Sequence, residues 1–175
     1  MLKVEPLKDV LVIERLKVHL RRRHIKYYLL FAVGINAPLK TEELVRLTVR
    51  DVKPPVFRAV NGFQIVLPDY LRAELDAFIQ SENLQQGDHL FTSDRTGKPY
   101  TRQQLHRTLS EAAQALDIRL NIGMQSLKKT FAYHLYESGM DITDLQHLLG
   151  HQSKKMTYHF IDVPQLPSSC ITLNL

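Results

Sequence analysis

The side chains able to do chemistry in these 175 residues are mostly cations and histidines, and what cations suit best is holding anions. Arg21, Arg22, Arg23 and His24 stand consecutively, a candidate contact for phosphate. The same cluster could equally offset the C-terminal dipole of a helix or stay solvated, and both readings remain open. His147 and His151 have the i, i+4 spacing of a zinc pair. No glutamate follows His147, however, and Gly150 falls between the two, so no metal is expected. Thr96-Gly97-Lys98 lacks the upstream glycine of a phosphate-binding loop. No Ser/His/Asp arrangement can be argued from spacing.

Composition bounds the setting. Lys and Arg number 23 against 18 Asp and Glu, a formal charge of +5 that favours a polyanionic partner. A hydrophobic content of 44% is ordinary for one globular domain. The single cysteine, Cys170, excludes an internal disulfide framework and fits a reducing cytosol. Charged residues lace the first twenty positions, so no signal peptide is visible. The longest apolar run, residues 27 to 35, is far short of the ~20 residues of a membrane span. A soluble, cytoplasmic protein with no cofactor is expected.

The elements that must position these groups follow from periodicity. After a lead containing Pro6, residues 9 to 34 read as helix through Val12, Leu16, Leu20, Tyr27, Leu30 and Phe31, with a break near the basic cluster. Thr41 is the expected N-cap of a short helix that turns Leu44 and Leu47 inward. VFRAV and FQIVL flank Asn61-Gly62, a two-residue type I′ turn, and predict a β-hairpin. Pro68-Asp69 opens a helix with Leu71, Leu75 and Phe78 on its buried face. Residues 89 to 92 read as a short strand. Thr101 caps a helix reaching Leu116, Ser126 starts another, Asp141 caps a third and Ser153 a fourth. Gly139 and Gly150 sit where helix-ending glycines belong. The fold class is mainly α with a small antiparallel β-sheet, an α+β domain over residues 1 to 163 followed by a tail, 164 to 175.

Two stretches carry a resemblance. Residues 34 to 52 read GINAPLKTEELVRLTVRDV, and residues 123 to 163 include MQSLKKTFAYHLYESGMD and LQHLLGHQSKKMTYHF. They resemble the two active-site boxes of the tyrosine recombinases (phage integrases): G-[IL]-x-x-G-L-R-x-[ST]-[ED]-[LI]-L first, then H-T-L-R-[HK]-[TS]-F, a G-[VM]-D linker, L-L-G-H, and a tyrosine nine residues on. Against that pattern Lys40 stands for the first arginine, Gln125 for a histidine, Lys128 for the second arginine and Phe160 for the nucleophilic tyrosine. His151 is kept. The resemblance implies the recombinase catalytic-domain fold and an ancestral context of DNA recombination and integration. The family's preceding domain, which closes the other half of a clamp on DNA, is expected to be absent.

In the family the tyrosine attacks a backbone phosphate while the arginines brace the phosphoryl oxygens. Phe160 has no hydroxyl to attack with. Tyr158 lies about 200° round the helix axis from it and is expected to point away. Lys40 and Lys128 keep charge but lose the planar fork of arginine. Gln125 can hydrogen-bond a phosphate oxygen but cannot transfer a proton. The hairpin lacks the family's lysine, and Arg58 is a poor acid. His151 serves equally as a phosphate contact or as packing. The reading is a pseudo-recombinase holding double-stranded DNA through Lys40, Gln125, Lys128, Lys129, His151, Arg21, Arg22, Arg23, Lys154 and Lys155. An active recombinase with atypical residues, or with a nucleophile from another subunit, is one alternative. A protein-interaction module is the other, its β-prone CITLNL tail joining a second copy or an active recombinase.

Overall fold

The computed structural model describes residues 3–165. In chain order these form α1 (Val10–Arg23), α2 (Ile25–Ile35), α3 (Thr41–Val45), α4 (Val49–Val52), β1 (Arg58–Val60), β2 (Phe63–Ile65), α5 (Asp69–Ser81), α6 (Arg102–Ala115), α7 (Met124–Glu137), α8 (Ile142–Leu149) and α9 (Lys154–Ile161). A mainly helical architecture with one two-stranded antiparallel sheet matches the class read from periodicity. The CITLNL segment and Cys170 lie outside the described residues. No described helix is long and apolar enough to cross a membrane.

The core is built on α2. Tyr28, Leu29, Leu30, Phe31, Ala32, Val33 and Gly34 are all buried, so this helix is apolar on every side and neighbours enclose it. It packs on α1, α5 and α7. Gly34 marks a close approach to α7, where a Cβ would come within 2.7 Å of Leu127 Cδ1. The break between α1 and α2 falls at His24, in an extended conformation with φ −167°. Its Nδ1 accepts the Lys26 N–H at 3.1 Å and caps α2. Lys26 itself is buried and pairs with Asp94 at 2.6 Å, pinning the loop that precedes α6.

The hairpin forms as its Asn-Gly pair dictates, with φ +48° at Asn61 and +84° at Gly62. Val60 faces Phe63 and Arg58 faces Ile65. Each strand is only three residues long, and the Asn61 amide donates to the carbonyls of His147 and Leu148 at the end of α8. Gly150, at φ +69°, terminates that helix as its position suggested.

Three local expectations shift. Lys40, not Thr41, is the N-cap residue of α3, because the Glu43 carboxylate reaches back to the Lys40 N–H at 2.8 Å. Residues 89 to 92 make no strand: Thr48 bridges His89 and Thr92 bridges Pro99, each an isolated pair. Helix α7 begins at Met124, two residues before Ser126, whose hydroxyl instead accepts the Gly123 N–H at 3.1 Å. Gln125 therefore stands on the first turn of the helix that carries Lys128.

The lead before α1 is a structural strap. Leu7 is fully buried and its N–H donates to Thr130 Oγ1 at 2.8 Å. Lys8 pairs with Asp162 at 3.0 Å, and Lys3 approaches the same carboxylate at 3.7 Å. Asp162 is the left-handed C-cap of α9, so the strap fixes the end of the helix that carries Phe160. The Lys8 hydrogen bond and the charges of Lys8 and Lys3 hold the Asp162 carboxyl below the usual carboxylate range. A depressed folded pKa contributes stability above the unfolded value that is lost as pH falls through the folded one. Asp162→Asn keeps a residue tolerant of this backbone. The gap in thermal midpoint between wild type and variant is expected at pH 7 and should close below about pH 4. A gap constant across that range contradicts the pairing.

Candidate nucleic-acid interface

Four of the five box positions meet in one cavity of about 300 Å³. Lys40 and Thr41 enter from the start of α3, Gln125 and Lys128 from the first turns of α7, and Phe160 from α9, over a floor that includes Leu39 and Met124. The packing of α7 against both α2 and α9 brings these elements together.

Lys128 is half-buried, and no carboxylate lies within ion-pair distance of it among the described residues. Burial first, then the charge of Lys40, pulls its pKa below the ordinary lysine value, while Glu43 acts in the opposite sense. Two ammonium groups thus repel each other across the cleft, and Glu43 offsets this only in part. Glu43 is already committed: one oxygen takes the Lys40 N–H and the other the Arg58 guanidinium, each at close range (2.8 and 2.7 Å). This carboxylate ties the first box to the hairpin. Its place on the first turn of α3 was legible in the sequence, but its double role was not.

His151 borders the cavity. Its ring stands edge-on to Phe160 with centroids 5.0 Å apart, and its Nδ1 lies 3.0 Å from Thr157 Oγ1. Burial, then the Lys128 charge, pulls its pKa below the usual histidine value. Packing and a hydrogen bond therefore account for its position, and proximity to Lys128 leaves it beside any anion the cleft holds. His147 meets Phe63 with the rings tilted at 59° and their centroids 6.1 Å apart. Among the described residues no cluster of three or more His, Cys, Asp or Glu could hold a metal ion.

Tyr158 points away from the cavity, as its position on the helix required. It is buried edge-on against Tyr136 at 6.1 Å, and burial, then Tyr136, pushes its pKa up. It is a packing residue.

Several basic residues expected at an anion-binding surface are elsewhere. Lys129 is buried, and its Nζ donates to the Val4 carbonyl at 3.0 Å while lying 5.4 Å from the centre of the Phe160 ring. Successive helix residues diverge by about 100°, so Lys128 and Lys129 could not both face the cleft. Arg21 pairs with Glu74 at 2.7 Å and sits over Tyr28, and Arg23 pairs with Glu111 at 3.1 Å. With Arg22 they occupy the last turn of α1, where positive charge offsets the helix dipole. None of the three lines the cleft. Lys154 and Lys155 are exposed on the first turn of α9, outside the cavity lining.

One cation was missed. Arg102, the first residue of α6, lines the cavity and approaches Glu42 at 3.9 Å. Thr101 announced the helix start, but only tertiary packing brings that start to the cleft. Separately, Lys129→Met is expected to destabilise the fold by about 1 kcal/mol through the lost hydrogen bond. Any DNA affinity should be unchanged. Thermal melts and a binding titration on one preparation check both, and a reduced salt dependence of binding would return Lys129 to the interface.

Known proteins give the same picture at three levels. The phage integrase family profile matches residues 11–165. The chain is 31% identical over 168 residues to the probable integrase/recombinase YoeC of Bacillus subtilis (strain 168), covering 93% of this chain and 91% of that one. The crystal structure of XerA recombinase superposes with a TM-score of 0.72 at 19% identity, covering 94% of this chain. The Tn1549 transposon integrase superposes with a TM-score of 0.69 as a tyrosine-to-phenylalanine variant in complex with transposon right end DNA, at 18% identity over 91% of this chain. An arginine-to-lysine variant of that integrase, in complex with a circular intermediate DNA, gives the same TM-score. The chain spans 62% of the solved XerA chain and 62% of the integrase chain. Since the profile runs through both boxes and YoeC aligns almost end to end, the chain belongs to the phage integrase family.

Proposed function

We propose that this protein binds double-stranded DNA by its phosphate backbone and does not cleave it. One observation carries the reading. The position that would hold the nucleophile is a phenylalanine inside the cleft, between His151 and the Lys129 ammonium, and Tyr158, two residues away in sequence, is buried against Tyr136. Attack on phosphorus needs a nucleophilic oxygen at the Phe160 position, and a phenyl ring carries none. The groups that remain are those that hold an anion. Lys40 and Lys128 supply charge, and the exposed Gln125 amide supplies a donor. His151 stands beside them.

Transition-state stabilisation is weakened too. A lysine is a point charge where arginine offers a fork, so it attracts phosphate without gripping two oxygens in a fixed plane. Arg58, the cation of the hairpin, is bound to Glu43 at 2.7 Å. Lys154, Lys155 and Arg22 are exposed cations outside the cleft that can extend the contact along the duplex. In the Tn1549 integrase, exchanges of the same kind as those at Phe160 and Lys40 are compatible with a DNA complex.

A labelled duplex titrated at rising salt tests the proposal. Phosphate contacts release counterions, so log affinity should fall linearly with log salt, by about 0.9 per contact. With Lys40, Lys128 and two or three outer cations engaged, a slope near −4 is expected, on the order of one unit per cation. Binding absent at low salt, or indifferent to salt, contradicts it.

A further inference from the structure

The cleft has more positive charge than an internal phosphodiester can match. Lys40, Lys128 and Arg102 face one cavity, and Glu42 is the acid that shares it. Glu43 lies just behind, neutralised by Arg58. The balance is a surplus of two positive charges, counted as three cations less one carboxylate. A phosphodiester carries one negative charge. A phosphomonoester at pH 7 carries roughly 1.5 to 2 and presents three free oxygens instead of two.

We infer that the cleft takes a terminal phosphate, the phosphomonoester at a nick or strand end of DNA, in preference to the continuous backbone. The inference rests on the DNA-holding reading above and names the feature of DNA that the cleft selects. The donors suit it. Each ammonium carries three N–H bonds that can be turned toward separate oxygens, and Gln125 and Thr41 add an amide and a hydroxyl at the same cavity. The mutual repulsion of Lys40 and Lys128 has the same implication, since a doubly charged anion seated between them relieves it more fully than a singly charged one. A cavity of about 300 Å³ also exceeds what one phosphate group fills. Its apolar floor of Leu39, Met124 and Phe160 leaves a surface for the sugar or base of a terminal nucleotide. Phe160 matters here for what it lacks, since its ring adds an apolar wall and no further oxygen.

Four duplexes of one sequence decide the matter: intact, nicked without phosphate, nicked with a 5′-phosphate and nicked with a 3′-phosphate. Competition binding at fixed salt is expected to show at least one phosphorylated nick bound about tenfold more tightly than the unphosphorylated nick. The two phosphate arms identify which end is taken. Lys128→Ala should remove the preference, as should Lys40→Ala, an exposed position that the fold does not depend on. Equal affinity for all four duplexes overturns the inference while leaving DNA holding intact. A preference that survives both lysine variants overturns it as well. Failure to bind any of the four sinks the underlying proposal together with the inference.

Discussion

Replacing Lys40 and Lys128 together by alanine is expected to weaken duplex binding by about 100-fold at low salt and to lower the salt slope by nearly 2. The estimate takes roughly 1.5 kcal/mol for each charge-assisted contact, with 1.4 kcal/mol for every tenfold in affinity. These two cations face the cleft without an ion-pair partner among the described residues, whereas Arg21, Arg23 and Lys26 are each paired with a carboxylate. An unpaired ammonium loses no internal partner when it takes up a phosphate, so its whole contribution goes to binding. Stability should move the other way or not at all. Burial and like-charge repulsion both oppose the charged form of Lys128, so its removal relieves the fold. Fluorescence anisotropy beside thermal melts separates the effects. Full affinity in a folded double variant would place the DNA elsewhere.

Gly34→Val should produce the largest effect on the fold's positioning of the site. The first carbon of any added side chain would lie 2.7 Å from Leu127 Cδ1 and 3.1 Å from Leu44 Cδ2, both on buried leucines that have nowhere to move. Relief requires α7 to shift from α2, at a cost of about 1–3 kcal/mol. Leu127 is next to Lys128, and Leu44 lies one turn from Lys40, so the same shift separates the two ammonium groups. The thermal midpoint should fall by several degrees, and DNA affinity should fall although no charge is lost. Gly87→Ala is the control: nothing lies within 4 Å of its added carbon, and its effect should stay within about 0.5 kcal/mol. A Gly34→Val protein with wild-type affinity would uncouple the α2–α7 contact from the cleft.

What could be read from sequence divides by range. Asn61-Gly62 announced its turn because two successive positive φ angles suit few other residue pairs. Gly139 and Gly150 announced helix ends on the same ground, with φ +103° and +69°. The apolar stripe of α5, through Leu71, Leu75 and Phe78, is buried as its spacing required. Box spacing placed Lys40, Gln125, Lys128 and Phe160 in one set, and the cavity unites them. Side chains that depend on distant partners were not legible. Lys129 looked like a second cleft cation because its neighbour is one, and only the strap's Val4 carbonyl shows where its charge goes. Arg102 lies more than sixty positions from Lys40 in sequence, and no local pattern links the start of α6 to the cleft. The strap was read as a lead because Lys3, Lys8 and Leu7 follow no periodicity. Their partners Asp162 and Thr130 lie at the opposite end of the chain.

The central claim is that the cleft holds DNA without cutting it, and a nicked suicide duplex tests it most directly. In such a substrate a cleaved end diffuses away, so any covalent protein–DNA adduct accumulates and survives denaturing electrophoresis. The duplex should be bound in a native gel, and the denaturing gel of the same mixture should show no adduct. An adduct on the wild-type chain would contradict the account, since it would require a nucleophile that neither Phe160 nor the buried Tyr158 supplies.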